Sequence, residues 1–269
     1  WQEDVLYVGN HLITCKQTKT GEYKIKDGTK TIADMAFYNC TGLTNITIPD
    51  GVTSIGMFAF SCCYALADIT IPDSVTSIGY SPFFNTEYYN NEDNWQDDVL
   101  YIGNHLIECK ETKSGEYKIK DGTKTIADEA FSQCRDITSI TIPDGATSIG
   151  YKAFYCCWVL KDITIPNSVT SIGSDAFSNT GYYDDSRNWQ DDVLYIGNHL
   201  IDCKELKTGN CKIKYGTKTI ANEAFSQCYN LTSITLSDGF TVLDEFVFSD
   251  CYNLSKIYIP KSLTLIKNN

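Results

Sequence analysis

The stretch CTGLTNITIPDGVTSIGMFAFSCC at residues 40–63 decides the fold, because the same pattern begins again where it ends. Residues 63–86 read CYALADITIPDSVTSIGYSPFFNT, so leucine, isoleucine, proline and valine return to the same slots after 23 residues. A repeat period between about 20 and 50 residues is the sequence signature of a solenoid. One unit cannot bury its apolar positions alone, so successive units must stack around a core that runs along the solenoid axis.

Each unit contains one short strand. Ile46 and Ile48 alternate with polar residues, so both point to the face that becomes the core. Pro49 ends the strand because proline has no N–H for the ladder, and the Asp-Gly pair that follows favours a turn. The pattern predicts one short parallel strand per turn, with strands centred on Ile25, Ile48, Ile71, Ile119, Ile142, Ile165, Ile213, Leu236 and Ile259.

The repeated string resembles a known family. ITIPDGVTSIG at residues 46–56, followed by Ala59-Phe60 and Cys63, is similar to the BspA-like leucine-rich repeat over essentially the whole chain. Asp50 and Gly51 stand where the general leucine-rich repeat has Asn or Cys after the strand. The resemblance implies a leucine-rich-repeat solenoid and a non-enzymatic bacterial surface protein that binds macromolecules of a host or a neighbouring cell.

A longer period lies over the short one. Trp1, Trp95 and Trp189 are evenly spaced, and each opens a segment that reads Trp-Gln-(Glu/Asp)-Asp-Val-Leu-Tyr-(Val/Ile)-Gly-Asn-His-Leu-Ile. The central Gly-Asn predicts a β-hairpin. We therefore expect one solenoid over residues 1–269, built from modules 1–94, 95–188 and an incomplete 189–269. One hairpin layer per module should place a strand in the main sheet.

Composition limits the class of partner. The formal net charge is −12, which disfavours nucleic acid because phosphates require a basic face. No apolar run reaches the roughly 18 residues of a membrane span. The chain opens without Met or a signal peptide, so we expect a processed or an excised piece. The resemblance to the BspA-like repeat implies that the protein is secreted and lies outside the cell or at its surface.

No reaction centre is recognisable, so we expect no catalytic residue, cofactor or metal. His11, His105 and His199 occur one per module, too far apart to share a proton relay or a metal, and hairpin packing explains them. The acidic segments Asn85–Asn94 and Asn179–Asn188 lack the alternating spacing of a calcium loop and are expected to be solvated linkers.

The 12 cysteines fall mostly into columns. One column, expected to be buried and reduced, comprises Cys40, Cys63, Cys134, Cys157, Cys228 and Cys251. Cys15, Cys109 and Cys203 share a hairpin slot, while Cys211 belongs to no column. Cys203–Cys211 is the expected exception to free thiols if the protein matures in an oxidising compartment.

The outward strand positions are the candidate partner-binding site. They form a polar, charge-patterned face comprising Lys24, Thr47, Asp68, Thr70, Lys118, Thr141, Asp162, Thr164, Lys212, Thr235 and Tyr258. Strand propensity and solubility are the simpler explanation of such a face. A concave recognition surface for an extracellular or cell-surface macromolecule, protein rather than glycan, is the functional one.

Two alternatives to a protein-binding or adhesion module stay open. One is a structural spacer within a larger surface protein. The other is a carbohydrate-binding module that uses Trp95, Trp189 and the tyrosines Tyr88, Tyr89, Tyr182 and Tyr183.

For the core, the repeat predicts one axial stack of the rings of Phe37, Phe60, Phe131, Phe154, Phe225 and Phe248.

Overall fold

The computed structural model describes residue 1 and residues 3–267, and these residues form a solenoid of short strands with little helix. The first module contains β1 (Val5–Val8), β2 (His11–Cys15), β3 (Thr20–Lys24), β4 (Thr31–Ile32), β5 (Gly42–Thr47), β6 (Ser54–Ile55), β7 (Asp68–Thr70) and β8 (Ser77–Ile78). The second contains β9 (Trp95–Gln96), β10 (Val99–Ile102), β11 (His105–Cys109), β12 (Ser114–Lys118), β13 (Thr125–Ile126), β14 (Asp136–Thr141), β15 (Ser148–Ile149), β16 (Asp162–Thr164) and β17 (Ser171–Ile172). The third contains β18 (Trp189–Gln190), β19 (Val193–Ile196), β20 (His199–Cys203), β21 (Gly209–Lys212), β22 (Thr219–Ile220), β23 (Leu231–Thr235), β24 (Val242–Leu243), β25 (Lys256–Tyr258) and β26 (Leu265–Ile266).

The regular strands form three parallel sheets, one per module. These main sheets have the orders β3-β5-β7, β12-β14-β16 and β21-β23-β25. The strands end one residue before the predicted centres, at Lys24 rather than Ile25 in the first turn. Ile25 N still donates to Thr47 O at 3.0 Å, so the backbone pairing of neighbouring turns continues past the strand end.

Each turn carries a second strand of two residues, which the repeat pattern had not indicated. In the first module β4, β6 and β8 pair in parallel on the other side of the turn. A glycine after this strand permits the close stacking, because a Cβ on Gly56 would lie 2.4 Å from Asp34 N, and on Gly150 2.5 Å from Asp128 N. Asp244 occupies the same slot in the third module, and there β22 and β24 are not paired.

The hairpin layer joins this second sheet rather than the main one. β1 and β2 are antiparallel, and β2 pairs in parallel with β4 through His11↔Thr31 and Leu12↔Ile32. The same arrangement recurs as β10-β11-β13 and β19-β20-β22. The expectation that a hairpin strand extends the main sheet is therefore wrong. The hairpin instead separates the main sheets of successive modules.

One continuous core contains the repeated apolar residues of all three modules. The phenylalanine rings stack within modules: Phe37, Phe60 and Phe83 at 5.0 and 5.4 Å, then Phe131, Phe154 and Phe177 at 5.1 and 5.2 Å. In the third module Phe225 and Phe248 are tilted at 5.8 Å, and Phe248 is half-buried. The predicted single stack is thus divided by the hairpins into three groups.

The segments expected to be solvated linkers are partly packed. Thr86 caps a short helix α1 (Glu87–Asn90), and 3-10 helices cover Glu92–Asn94 and Ser186–Asn188. Tyr88 Oη donates to Tyr101 O at 3.0 Å, which fixes the segment to the following hairpin. The expectation of fully solvated linkers is therefore corrected. The apolar rings of the tyrosines pack against the core, while the acidic neighbours remain at the surface.

Candidate functional site

All eleven predicted partner-binding positions lie at the surface of the main sheets. Lys24, Thr47 and Thr70 pair across β3, β5 and β7, and the same rung recurs in the second module as Lys118, Thr141 and Thr164. Lys212, Thr235 and Tyr258 form the third. The lysines are exposed and the central threonines half-buried. The strand register therefore brings each triplet together, while hairpins separate one triplet from the next.

We call the surface formed by these eleven positions the strand face. Several of its charged side chains are paired with neighbouring residues. Lys24 pairs with Asp27 at 3.2 Å, and Lys118 with Asp121 at 3.1 Å. Tyr215 replaces the aspartate in the third module, so the third lysine is not paired in this way. Such exposed pairs contribute little to stability, so the lysines can exchange these partners for another anion. Asp68 also lies on the face and accepts from Asn45 Nδ2 at 2.9 Å.

The histidines hold hairpins against the preceding turn. His105 Nε2 donates to Pro72 O and His199 Nε2 to Pro166 O, each at 3.1 Å, and both side chains are buried. Their Nδ1 atoms are buried without a partner, so protonation there would bury an unpaired charge. Burial accordingly lowers the pKa of His199 to about 4 and also lowers the pKa of His105. The predicted packing role holds for these two copies, whereas His11 is exposed.

A cleft opens where the second and third modules meet. Its volume is about 710 Å³, whereas the matching crevice between the first and second modules has about 90 Å³. Tyr80 lines the smaller crevice, and Phe84 packs on Tyr89 at 5.4 Å nearby. Ser174 and Ser178 occupy the corresponding slots and line the large cleft. Loss of two aromatic side chains therefore explains the difference in volume.

An aromatic residue and a buried carboxyl group form one wall of the large cleft. Tyr183 Oη donates to Asp202 Oδ2 at 2.6 Å, and burial raises the pKa of Asp202 to about 6. Trp189 Nε1 donates to Tyr183 O at 2.7 Å, and Lys204 Nζ lies 5.0 Å from the centre of the Trp189 ring. The cleft combines a fixed aromatic wall with carboxyl, amide and hydroxyl groups, including Asn222, whose buried Oδ1 has no partner.

The sequence prediction did not include this cleft. Its signal was present in the module alignment, since residues 79–85 read GYSPFFN and residues 173–179 read GSDAFSN. Tyr80 and Phe84 thus correspond to Ser174 and Ser178, a difference that lies outside the repeated positions.

Neither a metal site nor a membrane span is found in the part of the chain that the structure describes. Across residue 1 and residues 3–267, no three His, Cys, Asp or Glu side chains converge as metal ligands would. The helices among these residues are all too short to cross a bilayer.

A profile described as "BspA type Leucine rich repeat region" matches residues 13–117, 102–210 and 194–269, in 6 copies. The chain belongs to the BspA-type leucine-rich repeat family. The resemblance drawn from ITIPDGVTSIG and the predicted leucine-rich-repeat solenoid are both confirmed.

Solved structures of leucine-rich-repeat proteins are similar to this BspA-type chain. A protein from Bacteroides ovatus is 25% identical, with 98% of this chain and 81% of that chain covered and a TM-score of 0.32. A leucine-rich cell surface protein from Faecalibacterium prausnitzii is 21% identical, with coverages of 96% and 86% and a TM-score of 0.38. One from Eubacterium ventriosum is 23% identical, with coverages of 96% and 88% and a TM-score of 0.37. No curated protein matches the sequence, so the assignment rests on the family profile.

Proposed function

We propose that this BspA-type chain is a non-enzymatic, extracellular protein-binding or adhesion module of a bacterial cell-surface protein. Family membership supports a repeat module of this class. The partner is a macromolecule that carries acidic or hydrogen-bonding groups along an extended surface, and it contacts the strand face.

One observation carries this proposal: the outward rungs of the three main sheets have nearly the same composition. Each rung begins with an exposed lysine, at Lys24, Lys118 and Lys212, and continues into threonine. A long partner can contact several rungs at once, and modest contacts then combine into avidity. A spacer has no requirement for charges on this face to repeat with the module.

Binding should depend on these lysines and on salt. We expect the triple variant Lys24→Glu, Lys118→Glu, Lys212→Glu to bind a partner captured from extracellular-matrix or cell-surface extracts at least tenfold more weakly. Wild-type affinity should itself fall with added salt, because exposed charges are screened within about 8 Å at physiological ionic strength. Surface plasmon resonance measures both effects.

The control for that variant is Lys152→Glu. Lys152 lies outside the main sheets, with its Nζ 4.8 Å from the centre of the Tyr155 ring. This change should leave affinity within about twofold. Equal losses in both variants, or none in the triple variant, would refute binding on the strand face.

A second candidate function, glycan binding, is favoured by the cleft beside Trp189. Its volume of about 710 Å³ falls within the range typical of small-molecule sites. The ring of Trp189 supplies an apolar surface, while Asp202, Asn222 and the serines supply hydrogen-bonding groups. Trp95 and its tyrosines do not offer the same space, because the corresponding crevice is nearly filled.

The chain offers a matched variant for this second candidate. Ser174→Tyr with Ser178→Phe introduces the residues of the first junction and should fill the cleft without disturbing the core. Glycan-array signal that disappears in this variant but survives the lysine triple variant would assign recognition to the cleft. Signal unaffected by filling the cleft would exclude it.

A further inference from the structure

The hairpin cysteines are not isolated from the buried cysteine column. Cys15 Sγ and Cys40 Sγ both donate to Lys16 O, at 3.4 and 3.6 Å. In the second module Cys109 and Cys134 share Lys110 O, at 3.5 and 3.6 Å. Cys203 and Cys228 share Lys204 O, at 3.8 and 3.6 Å. Two thiols therefore converge on one carbonyl oxygen in every module.

The other column cysteines are placed differently. Cys63 Sγ donates to Phe37 O at 3.1 Å, and Cys157 Sγ donates to Phe131 O at the same distance. Cys251 follows the same pattern, with Phe225 O at 2.9 Å. The sequence column thus contains two classes of cysteine. The first column cysteine of each module shares a carbonyl oxygen with a hairpin thiol. The second donates instead to the backbone carbonyl of a core phenylalanine.

We propose that Cys15–Cys40, Cys109–Cys134 and Cys203–Cys228 are disulfide-forming pairs, one in each module. All twelve cysteines are reduced in the structure. The hairpin thiols are buried but nearer to the surface, with exposed fractions of 7, 5 and 4%, and their column partners are fully buried. The hydrogen bond to the partner thiol, together with burial, raises the pKa of Cys15, Cys109 and Cys203.

The oxidant is a disulfide compound such as oxidised glutathione. The hairpin thiolate attacks it to form a mixed disulfide and releases one glutathione thiolate. The column thiolate then attacks the hairpin sulfur and releases the second. Two protein thiols lose two protons and two electrons in total, and one glutathione disulfide becomes two glutathione molecules.

Each bond would tie a hairpin to the first regular turn that follows it. β2 already joins β4 at this point, and Cys15 N donates to Ala36 O at 2.6 Å. The cross-link closes a loop of about 25 residues, which favours the folded state by restricting the unfolded chain. It would therefore strengthen the layer at which the main sheets are interrupted.

The pairing also replaces the expectation for Cys203. Cys228 Sγ lies 3.9 Å from Cys203 O, and the thiols of Cys203 and Cys228 both donate to Lys204 O, whereas Cys211 lies buried in β21. Cys203 and Cys228 are the two thiols on Lys204 O, and Cys211 does not belong to this pair. We therefore expect Cys211 to remain reduced.

Peptide mapping of the purified chain tests the proposal. After equilibration with oxidised and reduced glutathione, free thiols are alkylated and the digest is analysed by mass spectrometry without reduction. We expect the three named cross-links, each lowering the mass by about 2 Da, with the remaining cysteines alkylated. Cross-links within the column, such as Cys40–Cys63, or a Cys203–Cys211 bond would overturn the proposal, as would the absence of any cross-link.

Two variants keep the test independent of a folding failure. Cys134→Ser should free Cys109 for alkylation and leave the other two bonds intact, whereas Cys157→Ser should not alter the map. A thermal midpoint that is higher by more than about 5 °C in the oxidised protein is the second expected readout. In the cell the bonds require the proposed export to an oxidising compartment, but the purified protein does not, so failure of one proposal is distinguishable from failure of the other.

Discussion

At the scale of single residues, position relative to a module junction decides what a repeated side chain does. His105 and His199 are buried against the preceding turn, whereas His11, with the same sequence neighbours, is exposed. Asp244 shows the same effect in the third module. It fills the slot of Gly56 and Gly150 in the other two modules. Its carboxylate accepts a hydrogen bond from Ser171 Oγ of the preceding module at 2.5 Å and pairs with Lys267 Nζ at 2.8 Å.

The buried imidazole of His199 predicts a loss of stability in acid. Its folded-state pKa is about 4, below the unfolded value of about 6.5, so between these pH values the unfolded chain binds a proton that the folded chain does not. Lowering the pH from 7 to 5 should cost about 2 kcal/mol of unfolding free energy through this residue. Urea unfolding of wild type and His199→Asn at both pH values measures the difference.

Buried carboxyl groups have the opposite effect on the pH dependence of stability. The contribution of His199 is therefore obtained by comparing variants with wild type. Burial raises the pKa of Asp202 to about 6, and the folded state therefore binds that proton first as the pH falls. His11→Asn, the same substitution in the exposed copy, is the control. A pH dependence in His199→Asn as steep as in wild type would contradict the assignment.

At the scale of elements, stacked phenylalanine rings connect the successive turns of a module. Phe154 lies between Phe131 and Phe177 at ring distances of 5.1 and 5.2 Å and is fully buried. Phe154→Ala should lower the free energy of unfolding by roughly 3–5 kcal/mol, because it removes a large buried ring and leaves a cavity. Chemical denaturation checks the value, with the exposed Phe84→Ala as the milder control. Losses of similar size in both would contradict a module-centred stack.

How far the sequence predicted these elements depends on whether a residue repeats with the short or the long period. Leu43, Ile46 and Ile48 recur every turn, so the main strands and their inward face could be read directly. The sequence could not predict which sheet the hairpin joins, because the alternation at His105 and Leu106 is compatible with either sheet. Only the pairing of these residues with Thr125 and Ile126 shows that the hairpin belongs to the second sheet. The cleft was not predicted for the converse reason, because it arises where Ser174 and Ser178 differ from the equivalent Tyr80 and Phe84.

At the scale of the whole molecule, the module repeat places one exposed lysine at the equivalent position of each main sheet. Lys24, Lys118 and Lys212 lie in equivalent strands of three separate main sheets, and the chain as a whole carries a net charge of −12. The strand face therefore carries a positive group that recurs once in each module of an acidic chain. The hairpins that interrupt the main sheets set the spacing between them, which suits a partner that is long rather than compact.

Lysine footprinting of the complex is the direct test of binding on the strand face. A captured partner is bound to the wild-type chain, exposed lysines are acetylated, and their modification is compared with that of the free chain by mass spectrometry. Binding on the strand face predicts joint protection of Lys24, Lys118 and Lys212, while Lys30 and Lys218, exposed beside the second sheet, remain as reactive as before. Unchanged reactivity of the three strand-face lysines, with protection of Lys204 at the cleft instead, would contradict it.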